Sequence, residues 1–243
     1  MAYTTINKSS LHFDSKLWDG TGSAQSITGL EFQPDWVWVK NRSRNSYHTL
    51  VDAVRGSSNV LASNINNAQN SDAQQVSSFN SDGFSVGTST NTNASGETLV
   101  AWNWKANGQG SSNTDGSINT TYTSVNTTSG FSISTYTGTG SNATVGHGLG
   151  VAPKCFILKK TSDTSAWSMY HESVGNTKFL TLNGTGGATT GATVWNNTSP
   201  TSSVFSVGTG DNGNASGATY VAYCFAEKKG FSKFMGWSGN SST

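Results

Sequence analysis

Alternating apolar and polar residues mark one stretch of the chain as a central strand. Within residues 32–42, Trp36 and Trp38 fall on one face of an extended strand, whereas Val37 and Val39 fall on the other. Both faces therefore carry large or branched apolar side chains. This pattern predicts a strand in the middle of a sheet that is covered on much of both sides.

A second version of this strand follows at residues 151–160, where Pro153 stands 119 positions after Pro34. Six landmarks repeat in the same order, with offsets between 118 and 123 positions. Self-similarity at a fixed period indicates an internal duplication, with small insertions confined to loops. The clearest repeats are Phe-Ser-Val-Gly at 84–87 and 205–208, Asn-Ala-Ser-Gly at 93–96 and 214–217, and Tyr-His at 47–48 and 170–171.

The chain as a whole predicts an all-β fold of two tandem antiparallel β-sandwich domains of jelly-roll-like style. Short alternating runs, turn signals about every 8–12 residues and the lack of a helical period are typical of such sandwiches. The expected organisation is an N-terminal arm at 1–10, a first sandwich at 11–105, a linker at 106–129, a second sandwich at 131–227, and an orphan strand within 228–243.

The orphan strand is expected because residues 230–232, Gly-Phe-Ser, repeat residues 130–132. Three explanations are open for it. The strand either completes the preceding sandwich, begins a third copy in a longer natural chain, or is exchanged with another subunit.

Uncharged polar residues dominate the composition and support the all-β interpretation. Charged residues make up 11% of the chain, against about 25% in typical soluble domains, and the net charge is +1. Serine, threonine, asparagine and glycine favour turns and pleated surfaces over helix interiors. A near-neutral chain without a basic stripe does not indicate nucleic-acid binding.

The sequence predicts a chain that is made in a cytoplasm, is soluble there and carries reduced cysteines. Residues 1–8 show no basic and apolar signal pattern, and no run approaches the roughly 18 apolar residues of a membrane span. Cys155 and Cys224 lie in apolar alternating runs, which favours buried free thiols over a disulfide.

No residue pattern indicates catalysis, a cofactor or a metal centre. Asp14 and Asp19 straddle a strand-to-turn segment, but Ser132 and Thr137 replace them in the second copy. A Gly-x-Ser-x-Gly motif and metal-type histidine or cysteine spacings are absent. The two Tyr-His repeats are interpreted as structural pairs that hydrogen-bond a loop. We therefore predict a protein that is not an enzyme.

Six segments spread over nearly the whole chain have distinctive residue sequences. They are residues 1–10, 32–40, 52–56, 145–150, 223–227 and 230–234. In these segments the chain resembles structural proteins of marine tailed bacteriophages, including cyanophages. The resemblance implies a virion protein, most often tail-fibre or tail-associated, with a capsid decoration or surface-fibre protein as the alternative. It implies other phage structural proteins as partners and a homo-oligomer, first expected to be a trimer, and it supplies no catalytic residues.

Five basic residues at the ends of the two central strands are candidate partner contacts. Lys40, Arg42 and Arg44 lie at the end of the first strand, and Lys159 and Lys160 lie at the end of the second. They are either solvated strand ends or a contact with a neighbouring virion protein.

A lectin-like module that binds a bacterial surface glycan is the competing hypothesis. Loops carry variable recognition on a sandwich scaffold, and residues 62–78 and 183–200 are expected to be exposed loops. Trp195, in the second loop, is the candidate glycan contact. Tryptophans within the strands are interpreted first as core or sheet-face residues and second as sugar-stacking platforms; they are Trp36, Trp38, Trp102 and Trp104.

Overall fold

Antiparallel pairing builds the computed structural model, which describes residues 4–240 of the chain. Every pair of named strands within these residues runs antiparallel. The predicted all-β, sandwich-type fold is therefore confirmed. The three α-helices found in residues 4–240 are single turns, α1 (Thr90–Asn93), α2 (Ala192–Trp195) and α3 (Asp211–Asn214).

Nine strands lie in the described residues of the first half, where they form one large and one small sheet. The large sheet has the order β1-β9-β3-β4-β5-β6, and the small sheet has the order β2-β8-β7. The strands are β1 (Phe13–Asp19), β2 (Gln25–Ile27), β3 (Trp36–Asn41), β4 (Thr49–Asp52), β5 (Gly56–Ala62), β6 (Asn70–Ser71), β7 (Ser78–Asn80), β8 (Gly83–Val86) and β9 (Thr98–Trp104).

The described residues of the second half also form nine strands, and its large sheet repeats the topology of the first, whereas its small sheet has no counterpart of β7. Its large sheet has the order β10-β11-β18-β13-β14-β15-β16, which matches the first large sheet once β10 is set aside, and β12 pairs with β17 in a small sheet. The strands are β10 (Tyr122–Asn126), β11 (Phe131–Thr137), β12 (Ala143–Gly146), β13 (Cys155–Lys160), β14 (Ser168–His171), β15 (Lys178–Thr181), β16 (Thr189–Thr190), β17 (Val204–Val207) and β18 (Thr219–Phe225).

Each small sheet packs against the outer face of the large sheet in its own half. In the first half, Val37 and Val39 of β3 meet Phe84 and Val86 of β8 in a buried apolar cluster. In the second half the corresponding cluster joins the large sheet to the small sheet. It contains Phe156 and Leu158 of β13, Tyr220 and Cys224 of β18, and Phe205 and Val207 of β17. Each half is thus a sandwich with its own core.

The inner faces of the two large sheets pack against each other and form a third core. Trp36 of β3 stacks on Tyr223 of β18, with ring centroids 4.4 Å apart and planes 18° apart. Leu50, Ile133 and Ile157 join the same buried cluster. The result is a four-layer body in which both large sheets are covered on both faces. This confirms the prediction that the stretch around Trp36 is a central, doubly covered strand.

A buried polar cluster crosses the same interface. Arg55 Nε lies 2.7 Å from Asp52 Oδ2, and both side chains are almost fully buried. Tyr223 from the other half donates its hydroxyl to Asp52 Oδ2 and accepts a bond from Arg55 Nη2. Burial holds the pKa of Tyr223 well above its usual value, so the hydroxyl stays protonated and donates. The ion pair therefore has partners on both sides of the interface.

Two buried asparagines hold the same turn in each half. Asn93 accepts from the backbone of Thr21 and donates to the carbonyls of Ser23 and Gly87. Asn214 makes the corresponding three bonds with residues 139, 141 and 208. Both asparagines are fully buried, which explains why the Asn-Ala-Ser-Gly and Gly-Thr-Gly segments repeat together.

Several predicted boundaries change in the structure. The linker at 106–129 is not only a linker, because Tyr122–Asn126 forms β10 and pairs with β11. The orphan strand is absent from residues 228–240, where a single bridge joins Lys228 to Ser232. Residues 241–243 of that segment and residues 1–3 of the N-terminal arm lie outside the described part. The loop at 62–78 is not wholly exposed, since Val76 is buried in the first core.

The cysteine prediction is confirmed, because Cys155 and Cys224 are both free and buried. Burial raises the pKa of Cys155 to about 12 and raises that of Cys224 further, so both stay protonated thiols. Among residues 4–240, no helix has the length and apolar content needed to cross a membrane.

Replacing Trp36 by Ala is expected to lower the free energy of unfolding by about 3–5 kcal/mol, because the variant leaves a cavity in the shared core. Chemical denaturation followed by circular dichroism measures this change. The control Trp237→Ala removes a side chain that is 88% exposed and should change stability by less than about 0.5 kcal/mol. Because the halves share a core, we expect one unfolding transition; two separated transitions would contradict it.

Candidate functional site

The tryptophans of β3 and β9 divide into one core residue and three groove residues. Trp36 is 1% exposed, whereas Trp38, Trp102 and Trp104 are only partly buried. These three residues lie on the inner face of the first large sheet, towards the edge of the contact with the second half. The sheet-face interpretation of the tryptophans is thus confirmed, with a mixture of buried and accessible rings.

A groove of about 400 Å³ lies over these three rings, and Lys40 and His48 complete its lining. We call these five residues the tryptophan groove. The ring centroids of Trp38 and Trp102 are 6.1 Å apart and their planes are inclined at 69°, so one ring meets the other edge-on. Each indole therefore presents a different orientation to a bound molecule.

An apolar cleft of about 490 Å³ adjoins the groove and shares Trp38 and Trp104 with it. The cleft lies at the margin of the shared core, where the tail after β18 folds back over the sheets. Besides these tryptophans, its lining includes phenylalanines from both halves and from the tail, namely Phe13, Phe131, Phe225, Phe231 and Phe234. The groove and the cleft together form one continuous aromatic surface.

Polar groups at the rim of the groove retain hydrogen-bonding capacity. Lys40 Nζ donates to the carbonyls of Asn41 at 2.6 Å and Arg44 at 3.2 Å, which leaves one of its three donors for a ligand. Burial, together with the nearby charge of Lys40, lowers the pKa of His48 below its usual 6.5. His48 is therefore a neutral imidazole at pH 7, with one donor and one acceptor nitrogen.

The candidate partner residues of the first strand end lie on the surface. Arg42 and Arg44 are exposed, and Lys40 is half-buried in the groove. Arg44 Nε lies 3.2 Å from Glu97 Oε2, and its Nη2 donates to the carbonyl of Thr90. These residues remain accessible for a partner contact.

The corresponding lysines of the second half do not fit the prediction of solvated or partner-binding strand ends. Lys159 is fully buried, and its Nζ donates to the carbonyls of Asn66 and Ser165 at 3.2 Å and 2.9 Å. Lys160 is 4% exposed and pairs with Asp211 at 2.5 Å. Lys159 instead links the two halves, because Asn66 belongs to the first.

Trp195 does not lie exposed in a loop, and the prediction that it contacts glycan is wrong for this reason. It ends helix α2 and is fully buried in the second core, where its ring meets Phe156 edge-on at 4.8 Å. Its Nε1 donates to the carbonyl of Lys178. Val194 beside it is also buried. This short apolar pair among polar residues is the sequence signal that could have predicted burial of Trp195 in the core.

The two Tyr-His repeats have different surroundings. Tyr47 is 48% exposed and His48 lines the groove, whereas Tyr170 is buried and stacks on Phe156. Position 48 is thus a groove residue that the sequence repeat did not reveal. Among the described residues, no group of histidine, cysteine or carboxylate side chains has a metal-binding arrangement.

Because Lys159 is buried, its contribution to the free energy of unfolding depends on pH. Burial, followed by the neighbouring charge of Lys160, lowers the pKa of Lys159 from 10.5 to about 8. Between these values the unfolded chain binds more protons at Lys159 than the folded chain, so its contribution to stability rises with pH. Below about pH 8 the ammonium is charged in both states and the contribution is constant.

We therefore expect wild type to gain about 2 kcal/mol of unfolding free energy relative to Lys159→Met when the pH is raised from 7.5 to 10. Urea denaturation of both proteins at each pH measures this gain. The comparison cancels the titration of tyrosine and cysteine groups that both proteins share. Parallel profiles for the two proteins would show that Lys159 titrates normally.

Comparison with known proteins identifies the family of the chain but no individual relative. No curated protein and no solved structure gave a match. One family model, described as a domain of unknown function (DUF7483), matches residues 8–243 and therefore spans both sandwiches and the tail. The chain belongs to the DUF7483 domain family.

Proposed function

We propose that this protein is a non-enzymatic structural component of a tailed-phage particle, tail-fibre or tail-associated, that acts through subunit contacts. The observation that carries the proposal is the shared core, in which Trp36 and Tyr223 join two sandwiches into one body. The resemblance to phage structural proteins supplies the setting. A capsid decoration or surface-fibre role is the alternative within the same class.

The four-layer arrangement suits a protein that must survive outside a cell. Both large sheets have their inner and outer faces covered, so few of their backbone hydrogen bonds are open to solvent or protease. The surface is polar mainly through hydroxyl and amide groups, since only 11% of residues are charged. A rigid scaffold with accessible loops and ends fits a role in holding other subunits.

Electron microscopy of particles labelled with a gold-conjugated antibody to this chain tests the proposal. Label on the tail is the expected result, whereas label in a regular array over the head would replace the tail role with capsid decoration. Purified particles that bind no antibody, although the infected cells contain the chain, would overturn the virion assignment.

A second function, recognition of a bacterial surface glycan, is favoured by the tryptophan groove. Sugar rings have one face lined by C–H groups, which pack on indole rings, and hydroxyls at their margin, which need hydrogen-bond partners. Trp38 and Trp102 offer the rings, and Lys40 and His48 offer polar groups at the rim. This assigns the lectin-like hypothesis to the groove rather than to the loop that contains Trp195.

Trp102→Ala is expected to weaken binding of surface polysaccharide fragments at least tenfold, because it removes one stacking face, a loss of about 1.4 kcal/mol or more. Binding is measured on an array of bacterial glycans and then by titration calorimetry with a glycan that gives signal. Thermal unfolding checks that the half-buried substitution leaves the fold intact.

Trp237→Ala is the matched control, since it removes an exposed tryptophan outside the groove and should leave the affinity unchanged. Equal loss of binding in both variants would point to non-specific contact with aromatic surface. If wild type binds no glycan, the recognition function is overturned while the structural function stands.

A further inference from the structure

The large sheets of the two halves differ at the edge formed by β1 in the first half and by β10 in the second. In the second half, β11 has β18 on one side and β10 on the other. In the first half, the equivalent strand β1 pairs with β9 but ends the sheet, so no described strand covers its other edge. An uncovered edge presents backbone donors and acceptors that can pair with another chain.

The open edge of β1 carries the backbone groups of Phe13, Ser15 and Leu17. Lys105 N donates to the carbonyl of His12, so even-numbered residues of this strand face β9 and odd-numbered residues face outward. In the second half, Thr135 corresponds to Leu17, and its carbonyl accepts from the β10 side through Thr121 N. Leu17 is also 65% exposed, which is unusual for a leucine in a sheet.

The missing counterpart of β10 is present in the sequence of the first half. Residues 4–7 read Thr-Thr-Ile-Asn, and residues 123–126 of β10 read Thr-Ser-Val-Asn. Their offset of 119 positions lies within the range of the other repeats. In the structure residues 4–7 nevertheless form no strand, although the Ile6 side chain is buried.

The turn between the two segments explains why the first half does not form this hairpin within one chain. Gly130 ends the β10–β11 turn with φ of +75°, and a Cβ there would lie 2.6 Å from the carbonyl oxygen of Ala226. His12 occupies the equivalent place, because its carbonyl accepts from Lys105 as that of Gly130 accepts from Ala226. Its φ is −129°, and a 3-10 turn at Ser9–Leu11 precedes it. The chain therefore leaves β1 in another direction.

We propose that the open edge of β1 binds residues 4–7 of a second copy of this chain, by exchange of the strand that β10 supplies within the second half. Residues 4–7 are identified as the occupant because their sequence matches that of β10, although they form no strand within their own chain. The β10–β11 register places Thr5 opposite Ser15 and Ile6 opposite Asp14. Ile6 would then take the position of Val125, which packs against the second core.

Exchange of this kind needs no new fold, since each copy keeps its sandwiches and only the arm moves. The pairing adds backbone bonds along β1 and keeps Ile6 buried in a neighbouring copy. Strand exchange at the β1 edge does not depend on the proposed virion function.

Disulfide trapping between singly substituted chains tests the exchange. A Thr5→Cys chain is mixed with a Ser15→Cys chain that carries a mass tag, and the mixture is oxidised gently. We expect a disulfide-linked heterodimer on a non-reducing gel, because the two cysteines face each other only between copies. Ser23→Cys is the control for Ser15→Cys, since Ser23 is exposed but lies beyond the edge.

The doubly substituted chain, Thr5→Cys with Ser15→Cys, completes this test. If it forms its disulfide within a single chain and the mixture gives no heterodimer, the arm pairs with its own β1 and the proposal is overturned. Heterodimers that form equally well with Ser23→Cys would show random collision, which also overturns it.

A backbone variant tests the same edge without cysteines. Ser15→Pro removes the outward N–H of β1 that faces Thr5 in this register and leaves the pairing with β9 intact, so the oligomer is expected to dissociate. Ser15→Thr keeps that N–H and should keep the oligomer. Light scattering after size-exclusion chromatography measures the mass, and circular dichroism checks the fold. A wild type that is monomeric at every concentration, or a Ser15→Pro variant of unchanged mass, contradicts strand exchange.

Discussion

The packing of the two large sheets against each other is the constraint on which the rest of the structure depends. Trp36 stacks on Tyr223 and Phe131 of the opposite half, and the Asp52–Arg55 pair is buried at the same interface. Separating the halves would expose the rings and leave the buried charges without the Tyr223 hydroxyl. The duplication is therefore more than two repeated domains, since each half covers a face that the other half could not leave in water.

The margins of this interface determine where binding surface arises. Trp38 and Trp104 lie on the same sheet face as Trp36, but they reach the rim of the contact and remain partly accessible. Lys159 lies on the facing sheet, and there its ammonium group is held by carbonyls of both halves. Lys40 and Lys159 occupy equivalent positions in the two central strands, yet Lys40 lines the groove and Lys159 is buried.

The halves share the topology of their large sheets but not the edges of those sheets, and the difference at the edge follows from one turn. Gly130 permits a tight return from β10 to β11, whereas His12 at the matching place adopts another backbone conformation. The cores of the two sandwiches repeat because burial restricts the side chains in them, whereas the turn and the arm are free to differ. This is why function is best sought at the groove and at the β1 edge.

The sequence by itself determined the all-β class, the duplication and the doubly covered central strand, because alternation and repeated turns depend on local geometry. It also indicated the buried thiols of Cys155 and Cys224, which the structure confirms. Only the tertiary structure decided the surroundings of the candidate site residues. Trp195 belongs to a largely polar segment and Lys159 carries a charge, yet both are buried, and His48 lines a groove, because burial depends on contacts between segments that are distant along the chain.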